Sequence, residues 1–122
     1  MIKIIELFEL AGVKLTNFKI HCATGNNPSP LEAFFDGTFR QWQEHQNQKN
    51  FQCENILSLI HLDKDLWLFA GVFVVEGFKS GTWKNKPCYR YETQEVDELD
   101  HLTGKAVVKF NKPFRASYLR GA

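Results

Sequence analysis

Hydrophobic and polar positions along this chain fall into short blocks whose spacing switches from helical to alternating. Ile2, Ile5 and Phe8, with Leu7 and Leu10 beside them, recur every third or fourth position before Gly12. Residues 2–11 are therefore predicted as a short amphipathic helix. Phe18–Ala23 alternates and reads as a first strand. Gly25–Pro30 is a turn, and Ser29 followed by Pro30 has the chemistry of a helix start: a hydroxyl to accept a free backbone N–H, then a ring already fixed near helical φ. From Pro30 to about Lys49 the period is helical, with a break near Asp36-Gly37. Phe35, Phe39, Trp42 and Gln46 share one face; Arg40, Gln41, Glu44 and Gln48 share the solvated one.

Strands dominate the remainder of the chain. Asn55–Leu62 is a second strand, Asp63-Lys64-Asp65 a turn, and Leu66–Val75 the longest strand. In unbroken alternation Leu66, Leu68, Ala70, Val72 and Val74 face one way, and Trp67, Phe69, Gly71, Phe73 and Val75 the other. A glycine between two rings leaves a recess for a flat ligand or a closely packed helix. Gly77–Pro87 reads as a basic hairpin-like loop, and Cys88–Thr93 as a strand with Tyr89 and Tyr91 on one side. Asp100–Gly104 is a turn, Lys105–Phe110 a strand with Ala106, Val108 and Phe110 inward, and residues 111–120 a closing turn or short helix. Helices bunched ahead of closely spaced strands predict an α+β domain: a small, strongly curved antiparallel sheet or barrel with two or three helices packed on it.

Composition narrows the class. The 122 residues suit one domain, and 43% hydrophobic content with 8 Gly and 4 Pro excludes disorder and repeats. The ten-residue apolar run Leu66–Val75 is half of the roughly 20 residues a membrane helix needs, and Glu6 interrupts the N-terminal apolar stretch. No membrane partner and a cytoplasmic location are expected. Cys22, Cys53 and Cys88 are odd in number and widely spaced, so they make neither a disulfide framework nor a zinc site and read as reduced thiols. No metal or other cofactor is expected.

The net charge of +1 is a cancellation. Glu92, Glu95, Asp97, Glu98 and Asp100 crowd into nine residues. Segment 79–91 holds Lys79, Lys84, Lys86 and Arg90 with no acid, and from Leu102 onward Lys105, Lys109, Lys112, Arg115 and Arg120 also stand without one. On one side of the fold these two segments would make a basic stripe.

No nucleophile elbow, phosphate loop or dinucleotide fingerprint is present, and no catalytic residue is assigned. His21, His45, His61 and His101 sit apart, and adjacent His21 and Cys22 point to opposite faces of a strand. Rings beside cations recur instead: Arg40 with Trp42, Trp83 with Lys84 and Lys86, Tyr89-Arg90-Tyr91, and Phe114-Arg115 with Tyr118 and Arg120. Rings stack on bases and cations neutralise phosphates, the shared design of nucleic-acid readers. Trp42, Phe69 and Phe73 are first of all core residues by pattern. Trp83, in a lysine-rich polar segment, is the strongest candidate for a ligand.

The order Phe39-x-x-Trp42-Gln43, Ile56–Ile60, Trp67–Phe73, Tyr89-x-Tyr91, Gly104–Phe110 and Phe114–Leu119 resembles the N-terminal module ahead of GIY-YIG-type nuclease domains in bacterial restriction-like proteins. More loosely it is similar to the PUA-like superfamily, with its EVE, ASCH, YTH and SRA members. The resemblance implies a small curved barrel that binds RNA, or that draws a modified base out of duplex DNA into an aromatic pocket. It implies a pocket from Trp42, Phe69, Trp83, Tyr89 and Tyr91, with Asp36, Gln43, Gln46 and Asn55 as polar selectors. Phosphates would fall to Arg40, Lys84, Lys86, Lys109, Lys112, Arg115 and Arg120. The GIY-YIG signature is absent, so nuclease activity would belong to a separate C-terminal domain. The leading expectation is a non-catalytic module sensing methylated or hydroxymethylated cytosine in double-stranded DNA. The alternatives are an RNA-binding domain, an ASCH-type hydrolase using Asp36 or Glu32, and an interaction domain whose rings are all core.

Overall fold

Ser29 and Gly37 bracket the first helix, α1 (Pro30–Asp36). Ser29 Oγ accepts the backbone N–H of Glu32, Pro30 sits in the first turn, and Gly37 takes φ 85° so that its own N–H reaches back to the helix carbonyls. Asp36 Oδ1 accepts from the N–H and hydroxyl of Thr38, leading into α2 (Phe39–Glu44). The break changes the helical phase: Phe39 is buried, whereas Phe35, expected on the same face, is 74% exposed. The second helix stops at Glu44, short of the expected Lys49. His45 Nδ1 donates to Gln41 O and Gln46 Nε2 to Gln43 O, each at 2.6 Å, so two open carbonyls of the helix end are satisfied. The same two residues form β3 (His45–Gln46).

A computed structural model of the chain describes residues 2–3, 6, 18–25, 29–46, 48–96, 99–111 and 118–120. Its other strands are β1 (Ile2–Lys3), β2 (Phe18–Ala23), β4 (Asn55–Asp63), β5 (Leu66–Trp83), β6 (Lys86–Glu95), β7 (Val107–Lys109) and β8 (Tyr118–Arg120). Among the described residues they form one curled, half-barrel sheet in the order β1-β7-β5-β4-β2-β8, with β6 beside β5 and β3 beside β6. With two short helices on it, this is the expected α+β curved sheet. Most pairs are antiparallel, but β2 runs parallel to β4 and β1 to β7. The first follows from connectivity: α1 and α2 lie between β2 and β4, and their crossover returns the chain to the same end of the sheet.

The chain departs from the sequence expectations at three other places. Ile2-Lys3 begins as a strand, not a helix, although Glu6 is helical; residues 4–5 and 7–11 of the expected helix lie outside the described residues. Tyr118–Arg120 is a strand against β2 where a turn or helix was expected, and residues 112–117 lie outside the described residues. Most consequentially, β5 continues to Trp83, so the basic segment from Gly77 is half of a long hairpin.

Strand β5 also breaks its own alternation. Ser58 pairs with Gly71 and Leu59 with Phe69, leaving Ala70 unmatched, and Gly71 takes φ 122°. Beyond this bulge the faces exchange. Trp67, Phe69 and Val72 join Phe18, Leu57 and Val108 in one core; Leu68, Ala70 and Phe73 join Phe39, Phe51 and Tyr91 in the other. The two rings expected to flank a recess therefore lie on opposite sides of the sheet. A Cβ at Gly71 would meet Glu95 Oε1 at 3.1 Å and the Phe73 ring at 3.3 Å, so that space is filled. Trp67 is a core residue whose indole N–H donates to Phe110 O at 3.0 Å. No helix among the described residues is long and apolar enough to cross a membrane.

Candidate nucleic-acid interface

The hairpin of β5 and β6 turns on Lys84 and Asn85, both with positive φ (51° and 66°), the two-residue turn whose twist matches its strands. Pairing runs from Gly77–Glu92 to Trp83–Lys86, and every residue from Phe78 to Pro87 is exposed. The tip of this hairpin arm, Thr82–Pro87, thus stands clear of the core, while further down Cys88 and Tyr91 are buried and β3 flanks β6.

Directly opposed residues share a face of a ribbon, so the register sorts the arm. Phe78 lies opposite Tyr91 and Ser80 opposite Tyr89 on the helix side; Trp83 lies opposite Lys86 and Lys79 opposite Arg90 on the outer side. Both Tyr rings contact Phe78, at 5.8 Å (Tyr89) and 5.4 Å (Tyr91) between centroids, and Lys49 Nζ stands 5.5 Å over the Phe78 ring. Tyr91 is buried against Phe51, and burial raises its phenol above the ordinary value, with the Phe51 backbone pulling the other way.

On the outer face β3 contributes the partner sequence reasoning missed. His45 pairs with Arg90, and its ring lies 3.8 Å from the indole of Trp83 between centroids, inclined by 34°. Trp83 remains 47% exposed, with Lys84 Nζ 5.8 Å from its ring and Lys86 directly across the ladder. Lys79 and Glu92 make an exposed ion pair at 3.3 Å, a contact contributing about 0–1 kcal/mol. The readable signal was the alternation Lys79, Gly81, Trp83 against Phe78, Ser80, Thr82, which continues the strand past Gly77.

Under the helices lies a second polar group. Gln43, fully buried, accepts the hydroxyl of Ser58 and, at 2.8 Å, the Nδ1–H of His21 through the same Oε1, while its Nε2 has no hydrogen-bond partner among the described residues. His21 stacks at 6.0 Å on Trp42 and meets Phe51 edge-on at 5.3 Å. Burial holds the imidazole neutral, lowering its pKa to about 4 although the Gln43 hydrogen bond works in the opposite direction. Next along α2, the buried Glu44 carboxylate accepts both the N–H and the hydroxyl of Thr93 at 2.8 Å, fastening the helix to β6.

The structure does not gather the five expected pocket rings. Trp42, Tyr89 and Tyr91 belong to the helix-side cluster, Phe69 is fully buried in the other core, and Trp83 faces outward from the arm. Among the polar selectors, Gln43 and Gln46 are buried and bonded beneath α2, and Asn55 opens β4 between Phe18 and Val74. Asp36, like Glu32, is on the exposed surface of α1. The expected phosphate contacts also separate. Lys84 and Lys86 sit at the arm tip, Arg40 is exposed on α2, and Lys109 pairs with Leu66 at the far end of β5, about 55 Å along the strand from Trp83. Arg120 is in β8, where only its backbone is described, and Lys112 and Arg115 lie outside the described residues. Among the described residues no group of three or more His, Cys, Asp or Glu could hold a metal ion. No protein-family model, curated protein or solved structure matches the chain.

Proposed function

We propose that this chain is a nucleic-acid-binding module that recognises a modified base, modified cytosine above all, in double-stranded DNA and thereby places a separate nuclease domain. One observation carries the reading: Trp83 is half-exposed, buttressed by His45 and flanked by Lys84, Lys86 and Arg90. A core does not require an indole there, whereas a base does. The resemblance to PUA-like readers supports a base as the target. Drawing a base from the stack costs a few kcal/mol, and stacking on one aromatic ring returns about 1–3 kcal/mol. Trp83 alone does not offset extrusion, so phosphate contacts from the neighbouring cations are part of the design.

The test is a gel-shift panel of modified and unmodified duplexes, with single-stranded RNA, at fixed salt. A modified duplex binds best, and Trp83→Ala weakens that complex about 5- to 150-fold, the equivalent of 1–3 kcal/mol. Equal binding of all duplexes together with no response to Trp83→Ala overturns base sensing. Tighter binding of RNA than of any duplex makes the chain an RNA reader.

A further inference from the structure

We infer that the β5–β6 arm is a two-stranded ribbon that enters the major groove of duplex DNA, tip first, with Trp83 carried to the base edges. The inference rests on the proposed DNA reading and adds the groove and the element that fills it. A two-stranded ribbon fits the roughly 12 Å width of the major groove and not the roughly 6 Å of the minor groove. Strand β3 flanks β6 as far as Tyr89, so the two-stranded part runs from Gly81–Cys88 to Trp83–Lys86 and, with its turn, is about 10 Å long. The major groove is roughly 8.5 Å deep, so the two-stranded tip is just long enough to reach its floor as β3 meets the groove rim.

Charge follows the same geometry. Residues 77–91 contain Lys79, Lys84, Lys86 and Arg90 and no acid; Glu92, at the root of the arm, is already paired with Lys79. Lys84 and Lys86 flank the tip on both sides of Asn85, where the two phosphate walls of a groove would stand. The C5 position of a pyrimidine also faces the major groove, so a ribbon entering there approaches from the side on which a cytosine C5 substituent projects.

The experiment uses the full chain and a duplex carrying one modified cytosine. Guanine N7 methylation interference reads the major groove, a netropsin-type competitor reads the minor groove, and the salt dependence of binding is compared for the wild type and Lys84→Gln/Lys86→Gln. Expected are interference from N7 methylation, no competition by the minor-groove ligand, and a log–log salt slope shallower by about 2, close to 0.9 for each phosphate that the variant no longer neutralises. Both lysines are exposed, and a matching thermal melt confirms that the variant folds. Competition by the minor-groove ligand without N7 interference, or an unchanged slope, overturns the ribbon while leaving the DNA reading intact. Absence of binding to any duplex overturns both.

Discussion

His45 and Trp83 meet ring against ring, 3.8 Å between centroids, although one ends a helix and the other ends a strand. The contact exists because β3 docks on β6 and brings His45 opposite Arg90, on the same face as the arm tip. His45 thereby restricts an indole that would otherwise sample many rotamers, and less ordering remains to be done when a ligand stacks on it.

Removal of the buttress therefore weakens binding without removing the stacking surface. His45→Ala is expected to lower affinity for the preferred duplex by less than Trp83→Ala does. A red shift of the Trp83 contribution to fluorescence, isolated by difference against Trp83→Phe, reports the freed ring. Equal affinity for wild type and His45→Ala would show that His45 does not prepare the site.

His21 makes stability depend on pH. Its folded pKa is about 4 against an ordinary 6.5, so below pH 6.5 the unfolded chain binds a proton that the folded chain refuses. The contribution is complete above pH 6.5 and lost as pH falls toward 4, to a total of about 3 kcal/mol. Urea unfolding at pH 7 and pH 4.5 should show the loss, and His21→Gln should flatten that window. A wild-type stability independent of pH there contradicts the buried neutral imidazole.

Gln43 and Ser58 should be energetically coupled. Gln43→Leu leaves the His21 N–H and the Ser58 hydroxyl buried without their acceptor, at about 1–3 kcal/mol for each group. Ser58→Ala removes one of those orphans, so the double variant should lose less than the sum of the singles. Strict additivity in a denaturation cycle would refute a shared acceptor.

Gly71→Ala should destabilise by about 1–3 kcal/mol, because φ 122° is strained for an L side chain and the new methyl would crowd Phe73 and Glu95. For a domain of this size that lowers Tm by about 4 °C per kcal/mol. An unchanged melting temperature would place the backbone outside that conformation.

Much of the architecture was legible in the chain. Ser29-Pro30 and Gly37 marked the ends of α1, and the short apolar run of residues 55–62 marked β4, because capping and apolar patterning act locally. What could not be read locally was set by pairing. The bulge at Ala70 needs Ser58 and Leu59 to be seen, the end of α2 needs β6 to claim His45, and β8 needs β2. Trp83 was recognisable as a ring without a core to enter. Its separation from Tyr89 and Tyr91 was not, since it depends on the register across the turn.

A second irregularity, at Glu76, has its own consequence. Val75 pairs with Thr93 and Gly77 with Glu92, so Glu76 has no opposite number. That one extra residue bends the strand and increases its twist at the root of the arm. With Glu76 deleted and the β5–β6 pairing otherwise kept, the ladder would become regular, and Trp83, still opposite Lys86, would stay on the outer face. The extra residue therefore shapes only the bend and twist with which the arm leaves the body, and the register alone decides what its tip presents.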